Sequence, residues 1–494
     1  MVFNSYTFIV FFIVVVILHH LPFSWKLKKI NLLLASYVFY AAWNPIFILL
    51  LWLSTLVDFF VGRLLYNENN LIRKKLLLII SLVGNLGMLC FFKYGGFLLD
   101  NFVFFVNQIG FDYHPAEPNI ILPAGISFYT FTTLCYTIDM YRKESKPVKS
   151  LLDFSLFVTF FPHLVAGPIV RPPQLVPQFE NPHTASRKQM IQGLFLLSLG
   201  LFMKVVLADS MLAESAKTVF GASQVLATLD AWMGVFAFSG QIFFDFAGYS
   251  TCAIGVASCL GFSLPENFLY PYAAIGFSDF WRRWHITLSK WLRDYLYIPL
   301  GGNRNGTFKT YVNLMITMLL GGLWHGANWT FVVWGALHGF YLWIEKMIVD
   351  FRYKKINRIE NQESGIASKN EIVIPGFISK FFTNKIFLAL LTYFLVNVTW
   401  VFFRATDFSS AWRLLASMFL LVPQGAVLLS HLSILKITII TLGTLIVHWI
   451  MRSRNLLVEF EKMHWLTVGI IWSIMLLLLI ICQESSSSFI YFQF

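Results

Sequence analysis

The sequence has few charged residues: Asp, Glu, Lys and Arg make up 13% of its 494 positions, whereas 57% are hydrophobic. Soluble globular domains are about 25% charged. Long polar stretches are also scarce, and apolar runs long enough to cross a hydrocarbon core of about 30 Å recur along the chain. This composition excludes an ordinary water-soluble domain and predicts an all-α, polytopic integral membrane protein.

The motifs of several common enzyme classes are absent. There is no GxSxG elbow, no Walker phosphate loop and no GxGxxG fingerprint, which argues against a serine hydrolase, an ATPase and a dinucleotide enzyme. The five cysteines lie in or beside apolar runs without a CxxC pair, so we interpret them as small buried residues. The histidines lack the HExxH spacing of a helical metal site, so the sequence predicts no metal and no bound cofactor.

The formal net charge of +12 is spread over short basic clusters between apolar runs. This pattern is the positive-inside signature of cytoplasmic loops, so we predict a lipid bilayer rather than nucleic acid as the partner. The first apolar run is followed, not preceded, by lysines, which predicts a retained first span with Lys26, Lys28 and Lys29 in the cytosol. The only long hydrophilic insert, 349–372, is predicted to be a cytoplasmic loop.

The apolar runs predict one membrane domain over 1–494, with roughly 11–13 transmembrane helices because several runs are short. We interpret 408–432 as a helix lying in the membrane interface, since a span there would place the next basic cluster outside. Between 120 and 340 the apolar runs are interrupted by Pro, Gly, His, Arg and Asp. Irregular backbone at membrane depth survives only in protein or beside a cavity, which predicts re-entrant helices around a central funnel or tunnel.

The segment 277–306 contains the densest set of polar and aromatic residues, FSDFWRRWHITLSKWLRDYLYIPLGGNRNG. Charged groups at membrane depth are costly, which makes this segment a functional candidate. Among its charged residues and its histidine, Arg282, Arg283, His285, Arg293 and Asp294 are the candidates for such a role. The alternative is an amphipathic interfacial helix with its Trp and Tyr side chains among the lipid headgroups.

The segment 318–339, MLLGGLWHGANWTFVVWGALHG, places His325 in an apolar run beside glycines. A buried imidazole stays uncharged and can take a proton from a hydroxyl that attacks an acyl carbonyl. His325 is therefore a candidate catalytic base, with Trp324 beside it and Asn328 three positions later. The alternative is a hydrogen-bonded structural histidine, which is our interpretation of His338 and His163.

These segments resemble the membrane-bound O-acyltransferase family, and within it the branch that contains the membrane component of bacterial alginate O-acetylation. The resemblance is carried by seven blocks in order: LPAGISFYTFTTLCYTIDMYR (122–142), FFPHLVAGPIVR (160–171), QIFFDFAGYSTCAIG (241–255), LPENFLYPY (264–272), FWRRWHITLSKWLRDYLYIPLGGNR (280–304), GGLWHGANWTFVVWGALHG (321–339) and WVFFRA (400–405).

The resemblance implies a multi-pass protein of the bacterial inner membrane in which His325 is the reactive histidine and His285 the second histidine of the site. It also implies an acetyl group passed from a cytosolic thioester, with acetyl-CoA as donor, towards an exported polysaccharide. Extracytoplasmic acetyltransferase proteins would be partners. Arg282, Arg283 and Arg293 would meet donor phosphates at the cytosolic mouth, or else anionic lipid headgroups. On the same resemblance, the other predicted substrate contacts are Asp294, Trp324 and Asn328.

Two alternatives remain open at this point. One is D-alanyl-type or other acyl transfer to a cell-envelope polymer, with a carrier protein as donor. The other is a transporter or export channel, because broken helices that carry charged residues also occur in transporters.

Overall fold

The computed structural model describes residues 1–116, 118–363, 384–419, 425–483 and 490. Over these residues the regular structure is helical, and the only β-type pairing is an isolated bridge between Leu226 and Ala426. The all-α prediction is confirmed. The α-helices are α1 (Tyr6–His20), α2 (Trp25–Ala41), α3 (Ile48–Asn67), α4 (Leu71–Leu89), α5 (Gly95–Gln108), α6 (Ile126–Arg142), α7 (Leu151–Thr159), α8 (Phe161–Leu164), α9 (Pro172–Glu180), α10 (Arg187–Leu201), α11 (Glu214–Phe220), α12 (Thr228–Cys259), α13 (Phe277–Arg283), α14 (Ile286–Leu292), α15 (Thr307–His325), α16 (Trp329–Glu363), α17 (Lys385–Arg404), α18 (Phe408–Phe419), α19 (His431–Met451), α20 (Leu456–Lys462) and α21 (Trp465–Cys482).

Seven helical stretches in the described part of the chain are long and apolar enough to cross a membrane. Two of them join α-helices through π-helical turns, Cys90–Tyr94 and Phe202–Ala213. The multi-pass character is therefore confirmed, while the total of 11–13 spans stays a prediction. The seven stretches are Pro45–Asn67, Leu71–Gln108, Arg187–Phe220, Thr228–Cys259, Lys385–Arg404, His431–Met451 and Trp465–Cys482.

Polar side chains cap the N-termini of several of the long helices. Asn384 accepts hydrogen bonds from the backbone N–H groups of Ile386 (3.0 Å) and Phe387 (3.2 Å) at the start of α17. Ser430 accepts one from the N–H of Ser433 (3.2 Å) at the start of α19. These caps satisfy backbone donors that have no partner inside the helix, so an apolar run can begin at a defined residue.

The chain divides into two compact units. The first comprises Met1–Met211, Ile242–Asn267 and Phe460–Phe494, and the second Leu212–Gln241 and Phe268–Glu459. The prediction that 1–494 acts as one domain stays a prediction.

In the first unit, α3, α4 and α6 meet around the buried carboxylate of Asp58. The Ser81 hydroxyl (2.5 Å), the Asn85 amide (2.7 Å) and the Thr137 hydroxyl (3.0 Å) donate hydrogen bonds to it. A buried carboxylate is tolerated only when its oxygens are hydrogen-bonded, and here three donors from two neighbouring helices meet that need. The cluster fixes how these three helices pack.

In the second unit, α15 and α16 form a tight helical hairpin. A Cβ on Gly322 would lie 2.3 Å from the carbonyl oxygen of Phe331, and one on Gly335 would lie 2.3 Å from that of Met318. The two backbones therefore touch, an arrangement that small residues make possible between membrane helices. This hairpin places the end of α15 against the start of α16.

Two predicted segments have a different extent in the structure. The first half of the predicted interfacial segment 408–432 forms the 12-residue helix α18. At 1.5 Å per residue this helix is too short to cross the membrane, as the interfacial interpretation requires. Positions 420–424 lie outside the described residues. In the predicted loop 349–372, α16 continues to Glu363, and 364–372 lies outside the described residues.

Candidate active site

His325 is the last residue of α15 and is 2% exposed. Its ring is edge-on to Trp324 (5.0 Å between centroids), Trp334 (5.0 Å) and Phe403 (5.3 Å). Gly326 follows with an extended backbone, and a Cβ on it would lie 2.1 Å from the Phe331 ring. Glycine is therefore required directly after His325, because the chain turns there against an aromatic ring.

His285 lies at the break between α13 and α14 and has no exposed surface. Its backbone is left-handed, with φ 42° and ψ 54°, which is uncommon for a residue with a side chain and costs of order 1–2 kcal/mol. Its carbonyl accepts the N–H of Ser289 at 3.0 Å and so begins α14. Burial lowers the pKa of His285 to about 3, so its ring is neutral at physiological pH.

The structure brings the two predicted site histidines together. The rings of His285 and His325 lie 6.4 Å apart at an angle of 64°, and Trp324 contacts both, at 5.9 Å and 5.0 Å. Two buried imidazoles at this separation can act on one small group held between them. The assignment of catalytic roles to them stays a prediction.

A network of charged groups holds the segment that carries His285. The carboxylate of Asp279 accepts hydrogen bonds from Arg283 (2.9 Å) and from Arg452 (2.7 Å). Arg283 also donates to the carbonyl groups of Leu269 (3.2 Å) and Arg452 (3.0 Å). Burial raises the pKa of Asp279, but the bonds from Arg452, the Ile275 N–H and Arg283 outweigh it and hold the pKa below its ordinary value.

The start of α13 is capped from α16. The carboxylate of Glu345 accepts the N–H groups of Phe277 (2.5 Å) and Ser278 (3.0 Å), and Thr392 accepts that of Gly276 (2.9 Å). Gly276 has φ 84°, and a Cβ there would lie 3.0 Å from Glu345. Hydrogen bonds therefore hold α13 at both ends: those to Glu345 and Thr392 at its start, and those of Arg283 at the end that leads to His285.

We expect Asp279→Asn to lower the free energy of unfolding by about 1–3 kcal/mol, because two guanidinium groups then lose a charged acceptor. Thermal unfolding of the purified protein in detergent measures this. Asp350→Asn is the control: it removes the charge from an ion pair with Lys346 in which the two side chains are 38% and 34% exposed, so the melting temperature should barely change. Equal shifts for the two variants would show that the Asp279 network does not stabilise the segment.

The remaining predicted substrate contacts differ in their exposure and in their hydrogen-bond partners. Arg282 is exposed, and Arg283 is engaged as described above. Exposed Arg293 donates twice to Asp294, at 2.6 Å and 3.1 Å. Asn328 begins α16: its amide donates to the Thr406 carbonyl (2.9 Å) and accepts the N–H of Thr330 (3.0 Å). Substrate binding by these five residues stays a prediction.

Two aromatic residues at the site were not predicted from the sequence. Trp334 on α16 and Phe403 on α17 both contact His325 and each other (5.2 Å). The sequence does not distinguish these two residues from others, because Trp and Phe are ordinary in the apolar runs of membrane helices. Trp334 also stacks on Trp400, with 6.0 Å between the ring centroids and 17° between the ring planes. The contacting aromatic rings therefore extend beyond the direct neighbours of His325.

A small, partly open pocket is lined in part by α18. Ala405, two positions after Phe403, is part of its lining, and Arg413 supplies its cationic group. The polar residues that also line it are Gln224, Ser410 and Ser417. As for metals, the described residues contain no group of three His, Cys, Asp or Glu side chains placed to hold an ion.

The helical fold and its long apolar helices define a multi-pass membrane protein that encloses a pair of histidine rings. The sequence model of the membrane-bound O-acyltransferase family matches residues 140–374, which contain both histidines. The chain belongs to this family and is an O-acyltransferase, which confirms the resemblance seen in the sequence.

Relatives of known name extend the match beyond that region. The chain is 39% identical to the probable alginate O-acetylase AlgI of Pseudomonas aeruginosa, over 91% of this chain and 80% of that protein. It is 38% identical to the peptidoglycan O-acetyltransferase of Helicobacter pylori, over 82% and 76%. It is 30% identical to the teichoic acid D-alanyltransferase of Streptococcus thermophilus, over 54% and 67%.

Proposed function

We propose that this protein transfers an acetyl group from cytosolic acetyl-CoA across a bacterial inner membrane for the O-acetylation of an exported polysaccharide such as alginate. The observation that carries the proposal is the pair of buried rings, His285 and His325, 6.4 Å apart within the region matched by the family. The names of the AlgI and peptidoglycan relatives support acetyl as the group and a polysaccharide as the acceptor.

In the proposed reaction His325 is the general base. It takes the proton of an acceptor hydroxyl while that oxygen attacks the thioester carbonyl carbon. The carbon–sulfur bond then breaks, and the imidazolium returns its proton to the leaving thiolate, so that ester, free thiol and neutral His325 remain. His285, held neutral by burial, donates an N–H to the carbonyl oxygen as negative charge develops there.

The two sides of the site suit different substrates in this proposal. Arg282 and Arg293 are exposed on the segment predicted to face the cytosol, where guanidinium groups can bind the phosphates of CoA. Extracytoplasmic acetyltransferase proteins then complete transfer to sugar hydroxyls. The pocket with Arg413 is a candidate contact for an anionic acceptor, since a guanidinium pairs well with a carboxylate.

The donor is tested with purified protein in liposomes. We expect acetyl-CoA labelled in the acetyl group to be consumed and labelled ester to appear on oligomannuronate, when a partner acetyltransferase is present on the acceptor side. D-alanyl carrier protein should give no transfer. Transfer from the carrier protein, with acetyl-CoA unused, would contradict the proposal and favour the D-alanyl alternative. Solute flux that survives loss of both histidines would instead indicate a transporter.

A second acceptor deserves a parallel assay because of the Helicobacter pylori relative. Muropeptide in place of oligomannuronate distinguishes the two acceptors with the same labelled donor. Ester on muropeptide alone would keep acetyl-CoA as donor but replace alginate by peptidoglycan as the polymer.

A further inference from the structure

His338 is a third buried histidine near the site, and its bonding defines its tautomer. Its Nε2 lies 3.1 Å from the hydroxyl oxygen of Thr399 on α17. That hydroxyl donates its single proton to the carbonyl of Val396 at 2.7 Å, so it accepts from His338. Nε2 therefore carries the proton, and Nδ1 presents a lone pair.

Three buried polar atoms of neighbouring rings have no hydrogen-bond partner among the described residues. They are His338 Nδ1, Trp281 Nε1 and Trp334 Nε1. The rings contact one another pairwise: His338 lies 5.2 Å from Trp281 and 4.7 Å from Trp334, and the two tryptophans lie 5.8 Å apart. His338 is fully buried and Trp334 is 1% exposed, so bulk water does not satisfy these atoms.

The chemistry of the three atoms matches that of one hydroxyl group. A hydroxyl has one proton to donate and two lone pairs that accept. His338 Nδ1 supplies one acceptor, and the indoles supply two N–H donors. A carbonyl or carboxylate oxygen would leave Nδ1 without a donor, and an ammonium group would face two N–H groups.

We propose that His338, Trp281 and Trp334 form a buried binding site for a single hydroxyl group beside His325. Trp334 connects the two places, because its ring also contacts His325 at 5.0 Å. The hydroxyl belongs either to an ordered water or to an acceptor alcohol. The proposal rests on the O-acyltransferase site and not on which polymer is acetylated.

A structure of the full-length protein in nanodiscs, at a resolution that shows water, is the direct test. We expect a density peak within hydrogen-bond distance of His338 Nδ1 and both indole nitrogens. If the peak is unchanged after soaking with oligomannuronate, the hydroxyl is a water; if a sugar oxygen replaces it, the hydroxyl is the acceptor's. Rings packed without any peak, in both conditions, would overturn the site.

Variants test independently whether the hydroxyl site affects the rate of acyl transfer. His338→Leu removes both nitrogens, and we expect the acyl-transfer rate to fall about 10-fold to 100-fold at unchanged donor KM. His338→Gln keeps a donor for Thr399 and an acceptor for the hydroxyl, so it should recover most of the rate. If His338→Leu does not fold, Trp334→Phe removes one donor and keeps a ring.

Trp343→Phe is the matched control, because Trp343 lies on the same helix, α16, and its Nε1 is also buried without a hydrogen-bond partner in the described chain. Its ring contacts are with Tyr311 and Phe340. Normal rates for folded His338→Leu or Trp334→Phe would contradict the proposal, as would equal losses for Trp334→Phe and Trp343→Phe.

Discussion

Replacing His325 by alanine is expected to lower acyl transfer by about 10²-fold to 10⁴-fold, the usual contribution of a general base. The thioester carbonyl would still be held, but no group would take the proton of the attacking hydroxyl. Turnover of labelled acetyl-CoA by the reconstituted protein measures the effect. The melting temperature in detergent should change little if the small cavity left by the ring is filled by neighbouring aromatics.

The control for this variant is another buried histidine. His19 is 1% exposed, and its ring contacts His20, Trp25 and Phe262 in the first unit. His19→Ala should therefore leave the acyl-transfer rate unchanged. Its loss of thermal stability measures what the removal of a buried imidazole costs in general. A folded His325→Ala protein with normal turnover would exclude His325 as the base.

The second large effect is expected at His285, where two substitutions separate the ring from the backbone. His285→Ala and His285→Gly both remove the imidazole and leave no side-chain donor, so each should lower transfer by about 10²-fold to 10³-fold if the ring donates to the carbonyl oxygen. Glycine tolerates the left-handed backbone found there, with φ 42°, better than alanine does. Its stability should therefore stay closer to that of the unmodified protein.

The comparison of the two variants decides the role of His285. Lost activity in both, with stability lost mainly in His285→Ala, indicates a chemical role for the ring. If His285→Gly is fully active and His285→Ala is not, the residue serves only to turn the chain between α13 and α14.

The two histidines could be singled out from the sequence because each lies in a block that resembles the family, His325 between Gly322 and Gly326 and His285 beside Trp284. Composition and apolar runs likewise predicted an all-α membrane protein. The hydrogen-bond partners of Asn328 could not be predicted in this way. Its amide begins α16 and reaches the Thr406 carbonyl, and that second partner is 78 positions away in the chain.

What the sequence could not provide is the arrangement of neighbouring helices. Trp334 faces His325 only because glycines let α15 and α16 touch, and Phe403 reaches it from a helix that begins 60 positions later, at Lys385. The position of helix ends is equally hard to predict: α12 continues through 32 residues, Thr228–Cys259. Hydrophobicity alone does not mark a boundary when polar residues such as Asp245 and Ser250 are buried inside one helix.

The backbone contact at Gly322 and Gly335 has a practical consequence. Such a contact depends on the close fit of the two backbones, because a Cβ on either glycine would collide with the other helix. Exchange of lipid for detergent does not change that fit. Solubilised preparations should thus keep the ring geometry at the tip of this hairpin, and assays made outside the bilayer should report on the native arrangement.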